Sequence, residues 1–235
     1  ILVCPSKVAD AKMKMYNLDG SEGKMCGNGI RCVGKFLYDH GMVDINEKDE
    51  ITIETLSGIK KLKAYTSGGK VNRLRVDMGK AILDPKEIPV VLDGDKVVDR
   101  PVEIAGKNYN ITCVSMGNPH CVVFMDDIDN LDIETVGPEF ENDKLFPERV
   151  NTEFVTVLDD HTIKMRVWER GSGETWACGT GACAVAVAAC ENGFCKKGED
   201  IKIKLKGGDL IINYTDETVY MTGNAEKVFE GEVEV

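Results

Sequence analysis

Apolar and polar residues alternate in two short stretches that occupy equivalent places along the chain. Residues 12–17 and residues 163–169 each place an apolar side chain at every second position, which is the pattern of a strand with one buried face. Both stretches lead into a Cys-Gly-x-Gly segment, the first beginning at Cys26 and the second at Cys178. The pattern therefore predicts two strands, each followed by a glycine-rich loop that carries a cysteine.

An apolar run follows each cysteine and stops at a glycine, Gly41 in one case and Gly193 in the other. A glycine just past the last periodic residue is typical of a helix end, so each run is predicted to be a helix. The second run is apolar on every side over residues 182–190, and a helix of this kind is expected to be central and buried.

Two further strand-like runs follow each predicted helix and complete a repeated unit. They are residues 51–54 and 59–65 in the first half, and residues 201–205 and 210–214 in the second. Each half is therefore predicted to consist of a strand, a cysteine loop, a buried helix and a hairpin. Agreement at several fixed offsets indicates an internal duplication.

The duplication predicts an α/β (α+β) protein with two pseudo-symmetric domains, each a curved, mostly antiparallel sheet wrapped around a central helix. The N-terminal domain is assigned to residues 1–78 plus 224–235, and the C-terminal domain to residues 79–223. The division falls where a strand passes into a connector that contains Pro85 and Pro89. The active site is expected in the cleft between the domains.

The two halves differ in the length of chain before the cysteine. Asn118 lies sixty residues before Cys178, whereas only twenty-five residues precede Cys26. A strand–turn–strand matching the one around Asn118 would therefore lie before Ile1. We expect that the sequence shown lacks a few dozen N-terminal residues.

Composition narrows the choice of partners. The formal net charge is −11, which argues against nucleic acid and anionic membranes. No uncharged stretch is long enough for a membrane-spanning helix. The nine cysteines are odd in number and include no paired C-x2-C knuckles, so neither a disulfide framework nor a structural zinc site is predicted. A reducing, cytoplasmic location fits this usage; the oligomeric state stays open, with a homodimer as one candidate.

The position of each cysteine at the start of a helix suggests its chemistry. The first backbone N–H groups of a helix lack partners within it and favour negative charge. They are expected to stabilise a thiolate and to hold a substrate carboxylate through Gly27, Asn28, Gly179 and Thr180. If Cys26 and Cys178 face each other, one thiolate can remove a Cα proton while the opposite thiol returns one to the other face. The prediction is stereoinversion of an amino acid without a cofactor.

These residues resemble those of the diaminopimelate epimerase family, and the resemblance extends over nearly the whole chain. It rests on the segments Asn17–Glu22, Met25–Cys32, Gly117–His120, Val150–Phe154, Glu169–Gly173, Ala177–Ala182 and Val228–Glu232. The resemblance implies conversion of LL-2,6-diaminopimelate to the meso form, a step in lysine and peptidoglycan precursor synthesis, without pyridoxal phosphate or metal.

The resemblance also implies roles for individual residues. The acid/base pair would be Cys26 and Cys178, with His120 and Glu169 beside the thiols to set their protonation. The reacting carboxylate would be held by Gly27, Asn28, Gly179 and Thr180. The remote end of the substrate would be bound by Asn17, Asn118, Asn151, Glu169 and Arg170.

Four alternative functions are compared with the sequence. Proline and hydroxyproline racemases use the same mechanism with two thiols, but they usually carry histidine where this chain has Asn28. A racemase of another polar amino acid is harder to exclude, whereas a related isomerase branch lacks the cysteine pair. A thiol-rich metal-binding or redox module would need ligand spacing that the sequence does not show.

Overall fold

A computed structural model describes residues 1–16, 20–45 and 50–233. The chain forms two compact units, a first unit of residues 1–76 with 222–235 and a second unit of residues 77–221. The bounds expected from the sequence lie two residues further along at each junction. Among the described residues, no helix is long and apolar enough to cross a membrane.

The first unit is a sheet with one helix. Its elements are β1 (Leu2–Cys4), β2 (Ala11–Tyr16), β3 (Glu22–Gly23), α1 (Gly27–Asp39), β4 (Ile51–Thr55), β5 (Gly58–Ser67) and β6 (Lys70–Asp77). The strands lie in the order β1-β2-β4-β5-β6, with β3 on β2. All the described pairs are antiparallel except β2 with β4. That parallel pair needs a crossover connection, which α1 provides.

Helix α1 buries one side against this sheet. Ile30, Val33 and Leu37 face the core. Gly34 allows the close approach, because an ideal Cβ there would lie 2.6 Å from a methyl carbon of Leu74 and 2.9 Å from one of Leu62.

The second unit is larger and has helices on both faces of its sheet. Its elements are β7 (Arg100–Ile104), β8 (Lys107–Ser115), β9 (Pro119–Phe124), α2 (Ile133–Glu141), β10 (Asn151–Asp159), β11 (Thr162–Glu169), β12 (Gly173–Thr175), α3 (Gly179–Glu191), β13 (Asp200–Leu205) and β14 (Gly208–Tyr214). A last strand, β15 (Val219–Asn224), has residues in both units. The order within the unit is β14-β13-β11-β10-β9-β8-β7, with β12 on β11.

Most strand pairs of the second unit are antiparallel, and the parallel ones are β9 with β10 and β11 with β13. Helix α3 packs on β8, β9, β10, β13 and β14, whereas α2 packs on β10, β11 and β12. Every residue of α3 from Ala182 to Ala189 is buried. The expectation of a central, buried second helix is therefore confirmed, as is the α+β class.

The internal duplication is confirmed in detail. When Cys26 and Cys178 are aligned, α1 and α3 begin and end at equivalent residues. The strand pairing Met15↔Gly23 in the first unit is reproduced as Val167↔Thr175 in the second. In each unit the strand before the helix pairs in parallel with the strand after it, and that strand continues into the predicted hairpin. Gly41 and Gly193 follow the helices with φ of +65° and +78°, as expected of glycines just past a helix end.

Candidate active site

Each of the two cysteines is the N-cap of its helix. Cys26 and Cys178 both have extended backbone conformations, with φ of −131° and −116°. The sulfur of each accepts a hydrogen bond from the backbone N–H three residues later, at 3.3 Å from Gly29 N and at 3.3 Å from Gly181 N. The two cysteines therefore have the same local geometry, as the repeat predicts.

Two further backbone N–H groups precede the one that the sulfur accepts from at each helix start. They belong to Gly27 and Asn28 on α1, and to Gly179 and Thr180 on α3. N–H groups at these positions have no acceptor within their own helix. A carboxylate is the kind of ligand that they suit.

The surroundings of the two sulfurs differ. Cys26 is half-buried, whereas Cys178 is buried with 6% of its surface exposed. Burial raises the pKa of the Cys178 thiol well above its ordinary range, and the nearby carboxyl groups of Glu169 and Glu153 raise it further. Hydrogen bonds from the Thr180 hydroxyl and the Gly181 N–H act in the opposite direction but do not outweigh burial.

For Cys178, burial therefore outweighs the helix-start effect that was expected to favour a thiolate, and the pKa of its thiol is raised instead of lowered. The helix-terminus effect is worth about 0.3–1 kcal/mol at an exposed site. Removing a thiolate from water at a buried position costs more than that.

Arg31 braces the loop at Cys26, although the sequence suggested no role for it. Its Nη1 donates to Gly27 O at 3.2 Å and to Asn28 Oδ1 at 3.1 Å, and its Nε donates to Asn224 O at 3.3 Å. Arg31 is 7% exposed. An arginine one turn after a Cys-Gly segment on an otherwise apolar helix face is the signal that could have shown this role.

A chain of side-chain hydrogen bonds approaches Cys178 in the second unit. Asn118 Nδ2 donates to Thr180 Oγ1 at 3.3 Å, and Thr180 Oγ1 lies 3.5 Å from Cys178 Sγ. His120 Nε2 is 3.1 Å from Asn118 Oδ1. His120 thus reaches the sulfur through two intervening side chains.

Glu153 is a buried residue of this network that sequence reasoning missed. Its Oε1 lies 2.7 Å from His120 Nδ1, and neither residue is exposed to solvent. In the parallel pair of β9 and β10, His120 lies opposite Asn151, so Glu153, two residues further along, points to the same sheet face. A glutamate inside the strand segment Asn151–Val155 was the available signal, because charged side chains are rarely buried unless paired.

Asn151 connects the start of β9 to the turn after β11. Its Nδ2 donates to Pro119 O at 2.8 Å, and its Oδ1 accepts from Arg170 N at 3.1 Å. The Arg170 side chain donates from Nη1 to Glu148 O at 2.9 Å. Asn151 and Arg170, two of the residues predicted to bind the remote end of the substrate, thus also form hydrogen bonds with backbone groups of the protein.

Glu169 ends β11 and accepts a hydrogen bond from the Thr175 hydroxyl. The turn that follows Glu169 is anchored by Glu141, which accepts from Trp168 Nε1 at 2.7 Å and from Gly171 N at 2.8 Å. Thr175 and Glu141 were not expected to have a role.

In the second unit, contacts at the start of α3 connect Asn118, His120 and Thr180 to Cys178, and Glu169 lies near enough to raise its pKa. Gly179 is the first residue of α3. Asn151 and Arg170 bond to each other, and Asn151 also bonds to Pro119 beside Asn118. Gly27 and Asn28 follow Cys26 in the first unit. Asn17, also predicted to bind substrate, lies outside the described residues. Among the described residues, Asp159, Asp160 and His161 form the grouping close enough to hold a metal, and they are exposed; none of them is a predicted site residue.

Comparison with known proteins identifies the family of the chain. The sequence profile of the family described as diaminopimelate epimerase matches residues 1–83 and 112–228. The chain belongs to the diaminopimelate epimerase family. A diaminopimelate epimerase of Acetivibrio thermocellus is 53% identical over 237 residues, which cover 100% of this chain and 83% of the relative. One from Methanococcus maripaludis is 51% identical and is covered over 84% of its length.

Solved structures extend the family's fold to more distant proteins. A probable proline racemase from Agrobacterium radiobacter superimposes with a TM-score of 0.72 at 17% identity, covering 94% of this chain and 72% of that one. A PhzF-family phenazine biosynthesis protein from Bacillus anthracis gives 0.65 at 19% identity, covering 99% and 83%. At these identities the likeness concerns the fold alone. Because the chain belongs to the diaminopimelate epimerase family, the alternative of a metal-binding or redox module is set aside.

Proposed function

We propose that this protein inverts one Cα centre of LL-2,6-diaminopimelate to give the meso form, with Cys26 and Cys178 as the acid/base pair and without pyridoxal phosphate. The observation that carries the proposal is the matched pair of N-cap cysteines. Two thiols held at equivalent helix starts supply one group to remove a proton and another to return one. Family membership supports the substrate.

Protons balance if the pair starts as one thiolate and one thiol. The thiolate takes the Cα proton, so an S–H bond forms as the C–H bond breaks. The other thiol gives its proton to the opposite face of the same carbon and becomes the thiolate. Because burial and two carboxyl groups raise the pKa of Cys178, we propose that Cys178 is the proton donor in the resting enzyme and that Cys26 acts first as base.

The substrate carboxylate would be held by the N–H groups of Gly27, Asn28, Gly179 and Thr180. Negative charge moves into this carboxylate as the Cα proton leaves. A preorganised donor aimed at developing charge is worth about 2.7–4 kcal/mol, against about 0.3–1 kcal/mol for a helix dipole alone. Individual N–H groups would therefore contribute most of the stabilisation.

The remote amino-acid group of the substrate would be bound by Asn17, Asn118, Asn151 and Arg170, with Glu169 available to its ammonium. A guanidinium has five N–H donors, so the Arg170 bond to Glu148 is compatible with a carboxylate contact. Amides and an arginine suit a group that carries both charges.

Location and assembly are further proposals. The nine cysteines are all free thiols, which supports a reducing compartment such as the cytoplasm. A homodimer stays a prediction, which light scattering on the purified protein would decide.

The activity is tested by incubating LL-diaminopimelate with the protein in D2O, under reducing conditions and without pyridoxal phosphate. We expect deuterium at Cα and formation of the meso product with the parent protein. Cys26→Ala and Cys178→Ala should each lose epimerisation by at least about a thousandfold, although one remaining thiol can still exchange a proton on its own face.

Each cysteine variant has a matched control on the same helix. Cys32 lies on α1 and Cys183 on α3, so Cys32→Ala and Cys183→Ala remove a thiol without touching the acid/base pair. Both controls should epimerise at close to the parental rate. Epimerisation by Cys26→Ala or Cys178→Ala at that rate would contradict the two-thiol mechanism, and turnover of proline in place of diaminopimelate would contradict the substrate.

A further inference from the structure

Four hydrogen-bonding contacts connect a buried carboxyl group to the sulfur of Cys178. The contacts run from Glu153 to His120, then to Asn118, to Thr180 and to the sulfur, with separations of 2.7, 3.1, 3.3 and 3.5 Å. All five residues belong to the second unit. Neither Glu153 nor His120 is exposed to solvent.

The chain of contacts has a direction, which Asn118 sets. Its Nδ2 donates to Thr180 Oγ1, so its Oδ1 is the atom that faces His120 Nε2. An amide oxygen only accepts, and His120 must therefore carry a proton on Nε2. Because Thr180 Oγ1 accepts from Asn118, its own O–H is available to donate to Cys178.

Glu153 decides where His120 carries its proton. Exactly one proton fits between Glu153 Oε1 and His120 Nδ1, either on the carboxyl group or on the ring. In both cases the Nε2–H is retained, and the pair has no net charge. Without Glu153, a neutral His120 can move its proton to Nδ1. Asn118 can then turn over, and the Thr180 hydroxyl would donate to Asn118 Oδ1 instead of to Cys178.

We propose that Glu153 is a positioning residue for the epimerisation, one that fixes the His120 tautomer and thereby aims the Thr180 hydroxyl at the sulfur of Cys178. The inference rests on the proposed function for its purpose, but the direction of the hydrogen bonds does not depend on it. A donated hydrogen bond stabilises the thiolate that Cys178 becomes after it gives up its proton.

The packing around Glu153 shows that the carboxyl group is tightly held. Within the described residues, Glu153 Oε2 is buried without a hydrogen-bond partner, which is a cost that a leucine would avoid. An ideal Cβ on Gly181 would lie 2.5 Å from Glu153 Oε1. The start of α3 therefore leaves room for this oxygen.

The other titratable groups near this chain are few. Glu169, on β11, raises the pKa of both the Cys178 thiol and the Glu153 carboxyl group. The Cys121 thiol on β9 lies near Glu153 and is hydrogen-bonded to the Cys113 thiol on β8. Burial raises the pKa of Glu153 itself, and His120 opposes that rise. Glu169, Cys121 and Cys113 are unchanged in every variant below.

The test measures the alkylation of Cys178 by iodoacetamide between pH 6 and pH 10, on the full chain, with Cys178 resolved by peptide mass spectrometry. Thr180→Val removes the terminal hydroxyl, and we expect it to slow alkylation at pH 8 by about fivefold or more and to move the profile to higher pH. Glu153→Leu should do the same, because His120 offsets the charge that the Glu153 carboxyl group presents to Cys178. The double variant should show no further shift. Glu153→Gln should restore the parental profile, because the amide can donate to His120 Nδ1.

A matched control removes a carboxylate from the other end of the helix. Glu191 ends α3, about 18 Å from its start at 1.5 Å per residue, and Glu191→Gln should leave the profile unchanged. A profile for Glu153→Leu that does not move would overturn the proposal. A shift to lower pH would also overturn it, because Glu153 would then act through its charge.

A second measurement tests the proposal without the Glu153→Leu variant, in case that variant folds poorly. The chain has three histidines, so the ring nitrogens of His120 can be resolved by ¹⁵N NMR and assigned with His120→Asn. We expect Nε2 to carry the proton in the parent and in Glu153→Gln. A parental His120 protonated on Nδ1 alone would contradict the proposal. Neither readout needs substrate, so both separate this inference from a failure of the proposed activity.

Discussion

The third residue of each helix, Gly29 on α1 and Gly181 on α3, lacks a side chain for a different reason. An ideal Cβ on Gly181 would lie 2.5 Å from the buried carboxyl oxygen of Glu153. On Gly29 it would lie 2.3 Å from the terminal methyl carbon of Ile1, whose side chain is largely exposed and can move aside. The same substitution should thus have opposite consequences in the two halves.

We predict that Gly181→Ala lowers the free energy of unfolding by about 1–3 kcal/mol, as overpacking of a core does. Gly29→Ala should leave it unchanged or raise it by about 0.5–1 kcal/mol, since alanine is the better helix residue. Urea unfolding monitored by circular dichroism measures both. Equal changes in the two variants would show that Glu153 does not fill the space beside Gly181.

Residues of the candidate active site could be predicted where the sequence repeats, and they were hard to find where it does not. Cys26 and Cys178 stand out because the same motif surrounds both. Glu153 and Arg31 act by holding other residues, and only the folded contacts show what they hold. The direction in which the pKa of Cys178 is shifted was predicted wrongly, because the sequence shows the helix start but not the burial that opposes its effect.

Helices α1 and α3 begin and end at equivalent residues but have different surroundings. Helix α1 has an exposed side that includes Cys32, whereas α3 is surrounded by the second unit's sheet and has alanine at many of its buried positions. Small side chains let the strands approach this helix on several sides.

We predict that Ala186→Leu costs about 1–3 kcal/mol of unfolding free energy, because a fully buried alanine leaves no volume for three more carbons. Cys32→Leu, at an exposed position of α1, should change it by no more than about 0.5 kcal/mol. Equilibrium unfolding in urea compares the two. A tolerated leucine at position 186 would indicate that α3 is less tightly packed than the structure shows.

Strands and helices with a regular pattern were predicted well, and α2 was not predicted at all. Its nine residues include Gly137 and Pro138, which interrupt a helical pattern. The fold explains Gly137, because an ideal Cβ there would lie 2.3 Å from the indole ring of Trp168. A tertiary contact of this kind leaves no periodic signal.

Two shielded thiols, the half-buried Cys190 and the buried Cys195, affect the stability of the whole chain at alkaline pH. Burial is the largest cause that raises the pKa of Cys190 to about 12 and that of Cys195 to about 11. An unfolded thiol titrates near pH 8.5. Between about pH 9 and pH 11 the unfolded chain therefore binds fewer protons than the folded one, and the free energy of unfolding falls as pH rises.

We predict that this fall is shallower in Cys190→Ala, which removes one of the shifted groups, and unchanged in Cys32→Ala, which removes an exposed thiol. Urea unfolding at pH 7.5, 9 and 10 under reductant gives the slopes. If the free energy of unfolding of Cys190→Ala fell with pH as steeply as that of the parent, the Cys190 thiol would have the same pKa in the folded and the unfolded chain.

The second unit is one continuous stretch of chain, whereas the first unit needs residues from both sides of it. Arg31 bonds to the carbonyl of Asn224, and Ala225 N donates to Asn72 O. On a ribosome adding about 5–20 residues per second, the 145 residues of 77–221 take roughly 7 to 30 s to emerge. During that interval α1 and its sheet lack their last partners, so the half that is synthesised first is the half that is completed last.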